Sequence, residues 1–219
     1  MVAILEKIIT LCDVTGGFES QLENYGKMRD TIGHFNYKFK SGIYVIEGEC
    51  TTGGWALSTI LTGREKLMNG QILIDNEIVS YKELQKCSCY VGEDSGLKKW
   101  FGIMPMSVAE QIEYGIKKGF ISDSVEEIKN KFKLSDGRFD RQMKYFSGER
   151  WRASMAIGYA LGKRIYCFPW ISGKFIMKLE NCFKTCFQPL LESGATIIIP
   201  TTNHYVLKNI VDNYEVVKI

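Results

Sequence analysis

Residues 48–55 have the glycine spacing of a loop that binds phosphate. They run Gly48–Glu49–Cys50–Thr51–Thr52–Gly53–Gly54–Trp55 and lie between an apolar stretch, 42–47, and a helix-like stretch that begins at Ala56. A strand, a glycine-bearing turn and a helix are the layout of the sequence G-x-x-x-x-G-K-[ST], whose backbone N–H groups surround phosphate oxygens. Residues 48–56 are therefore the candidate nucleotide-binding loop.

Two side chains that carry the chemistry of such loops are missing. Gly54 occupies the position of the lysine that neutralises the phosphates, and Trp55 that of the Ser or Thr that holds Mg²⁺. One charge pair at about 4 Å is worth about 4 kcal/mol at an effective dielectric near 20, and micromolar affinity totals only about 8 kcal/mol. The sequence predicts loss of hydrolysis. The loss of these side chains leaves two alternatives open. The loop could bind ATP weakly without well-bound Mg²⁺, since N–H groups at a helix start favour anions, or it could be a purely structural turn.

The composition of the chain limits what it can do. Its 219 residues, 45% hydrophobic and 24% charged, are ordinary for a globular protein, and a formal charge of +3 does not favour nucleic acid. Seven cysteines, an odd number, favour a reducing compartment over a disulfide framework. We expect no signal peptide and no membrane span, because no apolar stretch approaches about 18 residues.

Two cysteine pairs raise the question of a metal site. Cys87/Cys89 and Cys182/Cys186 lack the spacing of a zinc finger, and the chain has only two histidines. We therefore predict no metal site and interpret these cysteines as small buried side chains.

The hydrophobic pattern predicts strands in both thirds that flank a helical middle. The middle contains two capping boxes, Ser107–Glu110 and Ser124–Glu127, which predict helix starts, and a third helix is predicted over 149–161. Gly16–Gly17 is expected to end the first strand, 19–33 to be loop or short helix, and Asn69–Gly70 to be a hairpin turn. Strands are predicted at 8–15, 35–39, 42–47, 71–75, 87–91, 164–168, 196–199 and 213–219, and a further helix at 175–192.

The order of these landmarks resembles the nucleotide-binding subunit of an ATP-binding cassette (ABC) transporter over nearly the whole chain. The stretches that resemble family motifs are 68–75 ("SGEILIDG"), 90–93 ("YVPQ", the start of the Q-loop), 107–112 ("TVxENI"), 146–152 (the signature "LSGGERQR", one residue short), 165–170 (the Walker B strand "ILLLDE") and 196–202 ("TVIIVTH"). The resemblance implies one ABC-type domain over 1–219. Its α/β fold would have a P-loop NTPase-like (RecA-like) core, an antiparallel β-subdomain and a helical subdomain inserted at about 94–162.

The chain departs from the family at each catalytic position. The metal-directed glutamine aligns with Glu93, the Walker B aspartate with Pro169, the catalytic glutamate with Trp170 and the switch histidine with Thr202. His204 comes two positions too late to substitute for that histidine. We therefore predict no catalytic residues. Trp55 and Trp170 are expected close together, where they would fill the former metal site.

Other positions keep family features. Phe18 matches the aromatic residue that stacks on adenine, and Ser147–Gly148 matches the part of the signature that contacts a partner's ATP. An ordinary helix cap by Ser147 is the alternative. Residues 97–106, rich in Trp, Phe and Met, follow the Q-loop, where the family receives its permease; a buried subdomain face is the alternative.

The resemblance and the departures together suggest a catalytically degenerate ABC transporter subunit. It would pair with an active ABC ATPase subunit or with itself, contact a membrane permease, and lie peripherally at the cytoplasmic face of the cell membrane. One alternative is an active ATPase with unorthodox ligands, and another is a protein-interaction module on the same fold.

Overall fold

The computed structural model of the protein describes residues 7–22, 26–100 and 102–219. The strands are β1 Ile9–Leu22, β2 Gly26–Phe39, β3 Gly42–Glu47, β4 Asn69–Ile74, β5 Glu77–Ile78, β6 Ser88–Tyr90, β7 Lys98–Lys99, β8 Met104–Pro105, β9 Ile165–Cys167, β10 Thr196–Thr201 and β11 Glu215–Lys218. The helices are α1 Gly54–Leu61, α2 Tyr81–Cys87, α3 Val108–Lys117, α4 Val125–Lys131, α5 Asp136–Phe139, α6 Arg150–Ala160, α7 Gly173–Lys178 and α8 Glu180–Glu192. Short 3₁₀ helices span Met143–Tyr145 and His204–Asn209.

A parallel sheet in the order β11-β3-β10-β9-β6 forms the core of the molecule. Strand β10 pairs with β3 on one side and β9 on the other, and all six of its residues are buried. A strand buried on both faces needs apolar side chains on both, which explains the run Ile197–Ile199. The predicted mixed α/β class and its central parallel strand are confirmed.

A second, antiparallel sheet in the order β2-β1-β4-β5 lies against α1. The prediction of a loop or short helix over 19–33 is wrong, because β1 and β2 form a long hairpin through this stretch; residues 23–25 lie outside the described part. The hydrophobic pattern did not indicate strands here, because the outward side chains are polar and one inward position is the charged residue Asp30, which is 2% exposed. Period-two alternation is hidden when a buried position is charged.

The predicted glycine turns of this sheet are also wrong. Gly16 and Gly17 lie inside β1, paired with Ile32 and Thr31, instead of ending it. A Cβ on Gly17 would lie 2.5 Å from the carbonyl oxygen of Asp30, so close backbone approach accounts for this glycine. Asn69–Gly70 begins β4 and does not form a hairpin turn.

The helix starts follow their sequence signals. Both predicted capping boxes are present at α3 and α4, and Ser80 with Glu83 forms another at α2. The single helix predicted over 175–192 is divided at Leu179 into α7 and α8. A helical subdomain at about 94–162 within one domain over 1–219 stays a prediction.

Candidate functional site

Residues 48–53 form a compact loop between β3 and α1. The Gly48 N–H donates to the carbonyl oxygen of Thr201 at 3.0 Å, and the Thr52 N–H and hydroxyl both donate to the carbonyl oxygen of Glu49, at 3.2 and 2.8 Å. A Cβ on Gly48 would lie 2.3 Å from the Thr52 hydroxyl oxygen, and Gly53 has a φ of 104°. The left-handed φ of Gly53 favours glycine, whereas Gly48 leaves the space that the Thr52 side chain occupies.

A buried carboxylate binds the N–H groups at the start of α1. Asp30 on β2 accepts hydrogen bonds from the Gly53 N–H (to Oδ1, 2.6 Å) and the Ala56 N–H (to Oδ2, 2.7 Å). Gly53 provides no side-chain cap of its own. Asp30 therefore caps helix α1 from strand β2, and it supplies a negative charge where a phosphate would be expected.

The backbone at Gly54 is packed too closely to carry a lysine in its present surroundings. A Cβ built there would lie 3.0 Å from Pro200 Cβ, 3.4 Å from Ile46 Cγ2 and 3.7 Å from Ile219 Cδ1. The strand ends of the parallel sheet thus occupy the space beside this position.

Aromatic side chains surround the position of the metal-binding hydroxyl. Trp55 is half-buried, its indole Nε1 donates to the Tyr90 hydroxyl oxygen at 2.6 Å, and the Phe18 ring contacts it edge-on with centroids 4.8 Å apart. Burial raises the pKa of Tyr90 to about 12, so the phenol stays protonated at neutral pH. Phe18 packs on Trp55. That it would stack on adenine stays a prediction.

Glu93 is held by an ion pair. Its carboxylate lies 2.5 Å from the Arg64 guanidinium, which also lies over the Tyr90 ring at 4.3 Å from the centroid. The carboxylate in the place of the family's glutamine therefore already has a cation.

The other positions that were predicted to be degenerate follow the ends of β9 and β10. Pro169 and Trp170 follow β9, and the Trp170 indole Nε1 donates to the carbonyl oxygen of Gly48 at 3.1 Å. Thr202 follows β10 and is half-buried. Trp55 and Trp170, which were expected close together, thus both contact or adjoin the loop. The ring that packs on Trp55, however, is that of Phe18.

His204 is engaged at the other side of the loop. Its Nδ1 lies 2.5 Å from an oxygen of Glu47, the last residue of β3. The Tyr214 hydroxyl donates to the His204 carbonyl oxygen at 3.2 Å. A carboxylate partner orients this imidazole toward the end of β3. That His204 does not replace the switch histidine stays a prediction.

The loop cysteine is poorly suited to act as a thiolate. Burial raises the pKa of the Cys50 thiol, and the charges of Asp30 and Glu49 raise it further. Thr51 beside it is exposed and has a φ of 81°.

The signature segment lies exposed before α6. Ser147 and Gly148 are both exposed, and the Ser147 hydroxyl accepts from Arg138 at 3.2 Å. The alternative that Ser147 caps the helix is wrong, because the cap residue of α6 is Glu149, without a side-chain cap bond. Glu149 instead accepts hydrogen bonds from Ser135.

The segment 97–106 contains a small hairpin of β7 and β8. Trp100 is 74% exposed and Ile103 80% exposed, so the alternative of a buried subdomain face is wrong for these side chains; Phe101 lies outside the described residues. Beside the hairpin is a cleft of about 790 Å³, lined in part by Glu93 and Leu97.

These contacts do not match the needs of a Mg²⁺-bound triphosphate. Such a ligand needs free loop N–H groups, a lysine and a metal-binding hydroxyl. Here two of the N–H groups bind Asp30, the lysine position is the crowded Gly54, and the hydroxyl position is Trp55. In the described residues, no three His, Cys, Asp or Glu side chains are arranged to hold a metal ion.

Several residues of this site were missed by sequence reasoning. Asp30 was hidden in a stretch predicted as loop, and no motif marked Arg64. Tyr90 and Pro200 lie inside the stretches 90–93 and 196–202, but the resemblance gave neither of them a role at the loop. One signal was available for Asp30, since it shares the inward register of Ile32 two residues away.

The fold matches solved ABC ATPase structures. It is similar to cbiO1 from Clostridium perfringens, described as part of the ABC transporter complex cbiONQ, with a TM-score of 0.61, 17% identity, and coverage of 95% of this chain and 83% of that one. It is similar to the dimeric ATP-binding cassette MJ0796 in a post-hydrolysis state bound to ADP and Pi (TM-score 0.59, 19% identity, coverage 90% and 89%). It is also similar to a bacterial Atm1-family ABC exporter with ATP bound (TM-score 0.59, 15% identity, coverage 99% and 38%).

The comparisons define the class of fold. No family model matches the chain, and no curated protein sequence matches it. The chain has the fold of an ABC-type, P-loop NTPase-like nucleotide-binding domain, as the sequence predicted. Among the described helices, none is long and apolar enough to cross a bilayer.

Proposed function

We propose that this chain is a degenerate ATP-binding subunit of an ABC transporter, without ATP hydrolysis of its own. It acts as a structural member of the transporter, paired with an active ABC ATPase subunit or with a second copy, and with a membrane permease. Its place would be at the cytoplasmic face of the membrane. The partners follow from the fold class, since cbiO1 is described as part of a transporter complex and MJ0796 as a dimer.

The observation that carries this proposal is the environment of Trp55. The residue stands where a metal-binding hydroxyl is required, and its ring and indole N–H are engaged by Phe18 and Tyr90. An indole N–H is only a donor and cannot bind a metal. The former metal position is thus filled by side chains that pack on one another, which supports a structural role for this half of the site.

The hairpin of β7 and β8 is the surface that we assign to the permease. Trp100 and Ile103 are large, apolar and exposed at its tip, and the cleft lined by Leu97 lies beside it. Exposed aromatic side chains beside a cleft are typical of a protein interface.

The test is calorimetric titration of the purified chain with ATP, with and without Mg²⁺. We expect either no binding or weak binding that Mg²⁺ does not strengthen. Micromolar, Mg²⁺-dependent binding would favour the active-ATPase alternative. ATPase activity of the chain alone that Gly48→Ala abolishes and Gly137→Ala preserves would contradict the proposal, because a Cβ clashes with Thr52 only at the first position.

The partner is tested separately by co-purification with a candidate permease. We expect Trp100→Ser to weaken capture of the permease without changing the thermal stability of the chain. Met177→Ser is a matched control, since Met177 is also exposed (63%) and lies on α7, outside the hairpin. Equal capture by all three proteins would remove the hairpin as the permease surface.

A further inference from the structure

We propose that Asp30 is an intramolecular anion that replaces the nucleotide's phosphate at the loop, excluding phosphate and fastening the antiparallel sheet to α1. The inference rests on the proposed function and extends it by naming the residue that closes the site. It assigns to Asp30 a role in specificity: the loop keeps the shape of an anion site, but its own chain already engages the N–H groups of Gly53 and Ala56.

Both carboxylate oxygens of Asp30 are engaged at the start of α1. Each carboxylate oxygen accepts one N–H, from Gly53 and from Ala56, at 2.6 and 2.7 Å, and the side chain is 2% exposed. These lengths are typical of hydrogen bonds to an ionised acceptor. N–H groups at a helix start have no acceptor within the helix, so a buried anion here satisfies donors that would otherwise need water or a ligand.

A bound phosphate would compete with Asp30 for the same N–H donors. A phosphate at this helix start would need the donors that Asp30 uses, and two buried anions sharing them would repel each other. The charge is felt across the loop, since Asp30 contributes to the raised pKa of the Cys50 thiol. A phosphate can bind only if Asp30 leaves, which exposes a buried strand position.

Two residues that are paired across the β1–β2 hairpin both contact the start of α1. Asp30 on β2 is paired in register with Phe18 on β1. Phe18 packs on Trp55, and Asp30 bonds the residues on either side of the Gly54–Trp55 pair. One polar and one aromatic contact from this pair of residues therefore fasten the antiparallel sheet to α1.

The experiment compares the full chain with Asp30→Ala and Asp30→Asn, using inorganic pyrophosphate as the probe. Asp140→Asn is the control, because it removes the same charge from an exposed residue. The readouts are calorimetric affinity and the rise of the melting temperature with pyrophosphate, which follows from binding to the folded state. We expect the two Asp30 variants to bind pyrophosphate at least about tenfold more tightly than the wild type, and the control to match the wild type.

Amide hydrogen exchange of the wild type provides a readout that needs no ligand. We expect slow exchange at Gly53 and Ala56 in the wild type. Asp30→Asn still fills the volume if Asp30→Ala does not fold, and because it keeps only one acceptor oxygen, at least one of the two amides should lose its protection. Folded Asp30 variants with wild-type pyrophosphate affinity and unchanged protection would overturn the inference. Tight Mg²⁺-ATP binding by the wild type would instead overturn the proposed function, so the two failures are distinguishable.

Discussion

The indole Nε1 of Trp55 donates a hydrogen bond of 2.6 Å to the hydroxyl oxygen of Tyr90, joining the first turn of α1 to the end of β6. The Tyr90 ring also lies under the Arg64 guanidinium. An aromatic and polar contact thus crosses the place where a nucleotide site would hold its metal.

This contact predicts a measurable coupling between the two side chains. Tyr90→Phe leaves the half-buried Trp55 N–H without its acceptor, so we expect a loss of about 1 kcal/mol in the free energy of unfolding. Trp55→Phe removes the donor, and the double variant should show a coupling of about 0.5–1.5 kcal/mol in a double-mutant cycle by urea denaturation. Strictly additive losses would show that the bond contributes nothing to stability.

The crowding at Gly54 predicts that even a methyl group is costly there. Overpacking costs about 1–3 kcal/mol, while alanine gains up to about 1 kcal/mol over glycine within a helix. We therefore expect Gly54→Ala to lower the free energy of unfolding by about 1 kcal/mol, and Gly54→Lys to lower it further without creating ATP binding.

Gly137→Ala is the matched control for this prediction. A Cβ there meets nothing within 4 Å, so stability should be unchanged or slightly higher. Equal stability of Gly54→Ala and the wild type, or ATP binding by Gly54→Lys, would contradict the interpretation of the packed site.

The capping box of α3 predicts a stability that depends on pH. The Lys99 ammonium, followed by the Ser107 N–H, lowers the pKa of Glu110 below its usual 4.5. A carboxyl whose pKa is lower when folded contributes stability above the unfolded pKa and loses it as the pH falls through the folded pKa. We expect Glu110→Gln to be less stable at pH 7 and to lose less stability than the wild type as the pH falls below about 4.5.

The control for this prediction is Glu113→Gln on the same helix. Glu113 pairs with Lys117 near the helix end and takes no part in the cap. Melting temperatures should be measured from about pH 3 to 7. Only Glu110→Gln should show a smaller fall of the melting temperature at acid pH than the wild type. If both variants showed the same fall of the melting temperature at acid pH, the pH dependence could not be assigned to Glu110.

The loop cysteine is predicted to react slowly. Because burial and the charges of Asp30 and Glu49 raise the pKa of Cys50 above 9.0, little thiolate exists near neutral pH. Iodoacetamide labelling followed by peptide mass spectrometry should show a rate for Cys50 that keeps rising above pH 9.0, unlike that of a small free thiol. Fast labelling near neutral pH would be incompatible with this environment.

Much of the architecture was predictable because it depends on local patterns. Apolar runs such as Ile197–Ile199 indicate a strand buried on both faces, and Ser107 with Glu110 indicates a helix start; both are decided by residues close in sequence. The glycine spacing of the loop likewise predicted a tight strand–helix connection. What the pattern missed was the hairpin through residues 19–33, since its inward positions include a charged side chain.

The sequence alone determined the fold class, and its resemblance to ABC subunits predicted that a loop lysine, a metal-binding hydroxyl and a Walker B carboxylate are missing. The tertiary structure decided what stands in their place: the Asp30 carboxylate on the Gly53 and Ala56 amides, and Trp170 on the Gly48 carbonyl. Asp30 is separated from its donors by 23 and 26 residues, and Trp170 from Gly48 by 122. Such contacts depend on how strands from distant parts of the chain align, and no local periodicity carries that information.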